Sequence, residues 1–154
     1  MMVVQLEKNA EFEIVYLETG RPNSSQDKWV RNHKKLIRFS KDSIDTTRSI
    51  LKLKKIFNQP LKRQNLSIFT INIAGDVLEL YAMRKESDIY KYCLIEEATI
   101  PLHMTSPSAV YPLIHALMTL RMAVACTIHK ILYSSDSGDS SSEMVVTVTT
   151  PKNL

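Results

Sequence analysis

The sequence predicts an α/β domain: a small mixed sheet, built from an N-terminal hairpin and a three-stranded antiparallel meander, carrying one long basic helix and one apolar core helix. Three observations carry that prediction. Period-2 alternation at Phe12-Glu13-Ile14-Val15-Tyr16-Leu17-Glu18, rich in β-branched and aromatic residues, marks a strand. Val30, Ile37, Ile44 and Leu51 recur every seven residues, the mark of a long amphipathic helix. Between Leu66 and Ile95, three runs rich in β-branched and aromatic residues are separated by turn residues.

Taken in order, Met1 to Lys8 reads as a short strand, and Lys8-Asn9-Ala10-Glu11 as a tight connection into the alternating strand. A turn centred on Asn9-Ala10 pairs positions whose numbers sum to about 19, which sets Glu18 opposite Met1. The strand stops at Gly20 and Pro22. Asn23, Ser24 and Ser25 then offer capping side chains and Asp27 a favourable charge in the first turn, so a helix is expected from Gln26 to Phe57. Beside its apolar seam, about a quarter-turn away, runs a second stripe: Arg31, Lys34, Arg38, Lys41, Arg48, Lys52 and Lys55, interrupted by Asp45.

Asn58-Gln59-Pro60 ends that pattern, and Leu61 to Asn65 reads as a basic linker. Leu66–Ala74 and Val77–Met83 form a hairpin around Gly75-Asp76, and Arg84 to Asp88 turns the chain into Ile89–Ile95. Glu96-Glu97 closes the sheet. Ser106-Pro107 starts a helix with a cap and a proline at its first position, and Pro112 predicts a late start or a kink. From there to Tyr133 the residues are apolar nearly all round, as in a buried core helix; Arg121 near the middle and Pro112 weigh against a membrane span. Ser134 to Glu143 has the composition of a flexible linker, and Met144–Thr150 reads as a returning edge strand before Pro151. Residues 1–133 thus make one domain and residues 134–154 a tail.

The 154 residues, 44% of them apolar, suffice for one core. Cys93 and Cys126 sit in apolar segments without metal-ligand spacing, as buried free thiols of a reducing compartment would. His33, His103, His115 and His129 form no paired-ligand pattern. The N-terminus lacks the features of a signal peptide, so an intracellular protein is expected, in cytoplasm or nucleus.

The charge is concentrated. From Asp27 to Phe57 ten Lys or Arg face three Asp, a balance of +7, whereas the overall charge is +4, leaving −3 for the remainder. Such a stripe suits the phosphate backbone of DNA or RNA, or an acidic protein; it is equally what the solvated face of an ordinary amphipathic helix looks like. Tyr81, Tyr90 and Tyr92 lie on the meander, where cross-strand packing is favoured over stacking on bases.

The succession of strand hairpin, Glu18 at the end of the second strand, helix, strands and helix resembles the core of the PD-(D/E)xK, or restriction-endonuclease-like, nuclease superfamily. More narrowly, YLETGRPNSS, KLIRFSKDSID, FTINIAGDVLELYAM and IYKYCLI look like fungal proteins carrying a divergent version of that module. The resemblance spans about Glu11 to Ile131. It implies two acids holding a divalent metal and a lysine that activates water. Carried onto this chain, Glu18 matches the acid of the E-x-K element, Thr19 the middle position, and Gly20 stands where the lysine belongs. Arg21, always protonated, is a poor replacement, and the other acid falls at Met1 or before it. The expectation is therefore a catalytically degenerate nuclease-like module that binds nucleic acid without sequence preference, needing no cofactor. An interaction domain or remnant of a larger protein, docking an acidic partner, comes second, and a Mg²⁺-dependent nuclease third. No nucleophile triad, Walker loop or dinucleotide fingerprint offers other chemistry.

Overall fold

The computed structural model describes residues 1–7, 10–21, 25–49, 51–58, 60–103 and 106–133. The expected tail, 134–154, with its strand at Met144–Thr150, lies outside these residues, as do the cap candidates Asn23 and Ser24. Five strands, β1 (Met2–Glu7), β2 (Ala10–Thr19), β3 (Ser67–Ala74), β4 (Val77–Glu86) and β5 (Ile89–Thr99), form one sheet in the order β1-β2-β3-β4-β5. All neighbours are antiparallel except β2 and β3. That parallel pair needs a long crossover, and helix α1 (Gln26–Ser49) supplies it. The mixed sheet, the two hairpin units and both helix starts agree with the sequence.

Alternation along β2 turns Phe12, Tyr16 and Glu18 to one face, where they meet Phe57, Phe39 and Lys35. On the other face Leu78, Leu80 and Ala98 pack with Ala116 of helix α4 (Pro107–Tyr133). The sheet is thus sandwiched between two helices. Ser25 stands at the N-cap position of α1, its backbone carbonyl accepting from Lys28 N at 2.9 Å. At Gly75, φ is 66°, which glycine adopts freely at the first position of a two-residue hairpin.

Several expectations need correction. The described parts of the expected long helix are α1 and α2 (Leu51–Ile56), with position 50 between them outside the described residues. Ser49 Oγ donates to the Thr46 carbonyl at 3.0 Å, and α2 buries Leu53 in the core, with Phe57 just beyond it. The basic linker is a short helix, α3 (Pro60–Asn65), with proline at its first position. The second hairpin turn narrows to Ser87-Asp88, so β4 and β5 run longer than expected; β5 passes through Glu96-Glu97 to Thr99, with a register shift near Ile95. An edge strand tolerates those carboxylates because one side of it faces water. The first hairpin sums to 17 at Glu7 and Ala10, next to its turn, and to 16 at Val4 and Phe12 after a register shift, not to 19. Glu18 consequently lies beyond the end of β1, beside Asn72 of β3.

Helix α4 is not a core helix on all sides. It starts at Pro107 and continues through Pro112, with no late start, and only Ala116, Val124, Thr127 and Ile131 are fully buried. By length and composition it passes for a membrane span, yet these four side chains fasten it to the sheet and core. Cys93 and Cys126 are both free but exposed, since β5 is an edge and Cys126 sits on the outer half of α4.

Candidate nucleic-acid interface

The face of α1 that meets the sheet is unusually polar. Its buried residues are Asn32, Leu36, Ser40, Ser43, Ile44 and Thr47. Ser43 Oγ donates to the Glu13 carbonyl of β2 at 2.7 Å, and Ser40 Oγ to the Leu36 carbonyl at 2.9 Å. Small side chains that satisfy their own hydroxyls let the helix axis sit close over the strands. Val30 and Ile37, from the expected apolar seam, are only partly buried. At ~100° per residue, the embedded positions centre almost half a turn from Arg31, Lys34, Arg38 and Lys41. The basic stripe therefore points straight outward, rather than a quarter-turn from the core.

Those four side chains are exposed, and among the described residues none of them is in an ion pair. Lys41 rests over the Tyr90 ring, 5.5 Å from its centroid. From Arg31 to Lys41 the row extends about 15 Å at ~1.5 Å per residue, comparable to four phosphates along one strand at ~3.4 Å each. The remaining predicted members separate from it. Arg48 turns inward, donating to the Arg63 and Lys85 carbonyls, both at 3.3 Å; burial and the nearby Arg63 hold its pKa below the usual value. Lys55 is exposed but belongs to α2, and the side chain of Lys52 lies outside the described part.

What fixes the row in place is a cluster of aromatic and polar groups under the first half of α1. Trp29 Nε1 donates to Glu79 at 2.8 Å, and Asn72 Nδ2 donates to the same carboxylate oxygen at 3.1 Å. His33 stacks on Trp29 with centroids 5.0 Å apart and meets Tyr81 and Tyr92 edge-on. Tyr81 and Tyr92 stack across the β4–β5 pair at 4.8 Å, and the Tyr92 hydroxyl reaches Thr70 at 2.6 Å. Cross-strand packing occupies these rings. Burial lowers the His33 pKa against the opposing pull of Glu79, and burial raises Tyr92 to about 12. At the other end Asp45 binds Tyr90 and Lys85. Burial pushes its carboxyl up, but the hydrogen bonds from Tyr90 and Lys85, with the charges of Lys85 and Lys41, outweigh that and hold it below the ordinary range.

Glu18 pairs with Lys35 of α1, Nζ to Oε1 at 2.5 Å. Gly20, in the place of the motif lysine, donates its backbone N–H to the Ile73 carbonyl at 2.7 Å and so extends the parallel pairing. A lysine thus does stand beside Glu18, but it comes from the helix. Glu18 also lines a cavity of about 600 Å³ between β2 and α1, with Glu11, Glu13 and Asp42 on its wall and Phe12, Phe39 and Leu53 among its apolar lining. A Mg²⁺ site requires oxygen ligands converging in near-octahedral geometry. Among the described residues no group of three or more His, Cys, Asp or Glu side chains converges in that way, and Glu18 is already matched by Lys35. The described residues do not fit the ion.

Compared with protein-family models, curated proteins and solved structures, the chain matches none. Two partners escaped the sequence reading. Lys35 lies outside the stripe and 17 residues from Glu18, and Trp29 meets Glu79 across 50 residues; only the four-residue spacing of Trp29 and His33 hinted that one face of α1 had aromatic work to do.

Proposed function

We propose that this chain binds the phosphate backbone of nucleic acid, without sequence preference, through the outward face of α1, as a nuclease-like module without a working metal site. The observation that carries the proposal is the row Arg31, Lys34, Arg38 and Lys41: exposed, unpaired among the described residues, and held rigid from beneath by Trp29, His33 and Ser43. Cations outside ion pairs break no salt bridge when they meet phosphate, and the helix sets their spacing in advance; Lys41 gives up its place over the Tyr90 ring and its pull on Asp45. Nuclease ancestry rests on the motif resemblance. Catalysis is left out of the proposal because Glu18 is neutralised by Lys35 and stands without converging acids.

Fluorescence anisotropy with a labelled duplex tests the reading. Four phosphate contacts predict a slope of about −3.6 for log affinity against log salt, hence a loss of roughly 100-fold between 50 and 200 mM. Replacing Arg31, Lys34, Arg38 and Lys41 by Glu abolishes binding, while Arg48→Ala leaves the slope unchanged. Absence of binding at low salt, or equally tight capture of an acidic polypeptide in place of nucleic acid, overturns the proposal.

A further inference from the structure

Helix α4 turns most of its apolar surface outward. It is long and apolar enough to cross a membrane, yet of its apolar 18-residue stretch only 11% is buried. Ala116, Val124, Thr127 and Ile131 hold one side against the sheet and core. At ~100° per residue Tyr111, Ile114, Met118, Met122, Leu132 and Tyr133 fall on the opposite side, with exposures from 44% for Leu132 to 71% for Tyr133. Exposed Arg121 borders this stripe on one margin and exposed Lys130 on the other, about half a turn apart. From Pro107 to Tyr133 the helix carries no Asp or Glu, so every formal charge it presents beside the stripe is positive.

We infer that α4 seats the chain on an anionic lipid surface, lying in the plane of the headgroups rather than spanning the bilayer. A helix docked in this way sinks its apolar face about 5–10 Å into the boundary between headgroups and acyl chains, and its affinity adds buried apolar area to the attraction of basic side chains for anionic lipid. The margins of the stripe suit that arrangement, because the stems of Arg121 and Lys130 are long enough to lie along apolar surface while their cationic heads meet lipid phosphates. Tyr111 and Tyr133, about 33 Å apart along the helix, bring an apolar ring and a hydroxyl to each end, the chemistry that settles at headgroup level. Shape favours lipid over a protein: an outward helix face is a convex ridge, which a fluid surface moulds around and a protein must match with a groove. A spanning orientation is excluded by the four inward side chains, which would have to leave the sheet, and by Arg121 near the middle of the helix. Glu96 is an opposing charge; it faces His115, Oε2 to Nδ1 at 3.6 Å, and removes part of the attraction, so the contact is reversible. The basic row of α1 points away from this surface, across the sheet.

Flotation of the full chain with phosphatidylcholine vesicles containing about one-third phosphatidylserine tests the inference, at about 0.15 M salt, where charges more than ~8 Å from the lipid are screened. Binding is expected, and roughly 25-fold weaker binding to pure phosphatidylcholine, since each of the two cations contributes about five-fold at such a surface. Met122→Glu weakens binding by more than about 10-fold with an unchanged circular dichroism spectrum, and Arg121→Gln combined with Lys130→Gln removes most of the preference for phosphatidylserine. With Cys93 and Cys126 replaced by Ser, an environment-sensitive fluorophore on Met122→Cys brightens on the vesicles, and the same label on Asp27→Cys, exposed at the start of α1 across the sheet, does not. Replacing Arg31, Lys34, Arg38 and Lys41 by Glu keeps the flotation, which separates this surface from the nucleic-acid row. The inference is overturned by absence of flotation, by flotation that Met122→Glu leaves intact or that the α1 replacements abolish, by retention through an alkaline carbonate wash as for a spanning helix, or by self-association without lipid that Met122→Glu abolishes. None of these outcomes depends on nucleic-acid binding.

Discussion

Helices α1 and α4 cover opposite faces of one sheet, and the more polar of the two is the more deeply embedded. Helix α1 buries Asn32, Ser40, Ser43 and Thr47 beside Leu36 and Ile44; α4, apolar nearly all round, buries only Ala116, Val124, Thr127 and Ile131. Side-chain size explains the inversion. Serine hydroxyls that find carbonyls allow a close approach over β2 and β3, whereas α4 lies chiefly against β5, the edge strand of the sheet. Depth of burial followed from position over the sheet, not from hydrophobicity.

The sharpest break in this contrast is thermodynamic. Leu36→Ala, at a site with no exposure, is expected to cost about 2–5 kcal/mol in urea unfolding. Leu117→Ala on α4, which is 46% exposed, shifts stability by less than about 0.5 kcal/mol. Equal costs contradict the difference in depth. Next, Ser43→Leu wedges α1 away from β2 and costs about 1–3 kcal/mol by overpacking, with the loss visible in the unfolding midpoint.

Acid probes the embedded helix further. His33 on α1 is held below its ordinary pKa of 6.5 by burial, so the unfolded chain binds its proton first. Stability is full above that value and falls as pH drops through it towards the lower folded pKa. His33→Phe removes this slope between pH 7 and 5, measured by urea titration at each pH, whereas the contribution of Asp45 disappears only below its ordinary value of 3.8. The smallest effect lies away from both helices. Ser87 occupies the left-handed region at φ 54°, and Ser87→Gly should gain about 0.5 kcal/mol by thermal unfolding, leaving both helix faces untouched.

The local grammar of the sequence was informative. Gly75-Asp76 marked its hairpin, Ser25 and Pro107 marked helix starts, and alternation at Phe12 to Leu17 marked β2. Features set by long-range geometry were not legible. The register of the β1–β2 pair, which leaves Glu18 beyond the end of β1, and the parallel pairing that sets it beside Asn72 have no local signature. Nor does the inward turn of Arg48, indistinguishable in spacing from Lys41 until the Arg63 and Lys85 carbonyls are beside it. Hydrophobic periodicity located both helices but not their depth: Val30 and Ile37 suggested a seam that Ser40 and Ser43 occupy instead. The apolar wheel of α4 suited full burial, yet a sheet with an edge at β5 cannot surround it.

The single parallel seam, where Val15 meets Phe69 across 69 − 15 = 54 positions of chain, sets the order of assembly. On either side of it every strand pairs with its neighbour in sequence, so each hairpin unit closes a short loop and forms quickly. Joining the two halves is the slow, entropically expensive step, made only once α1 has spanned the gap. A nick in the Asn58 to Pro60 connection would accordingly leave two self-pairing pieces that find each other again along one line of hydrogen bonds.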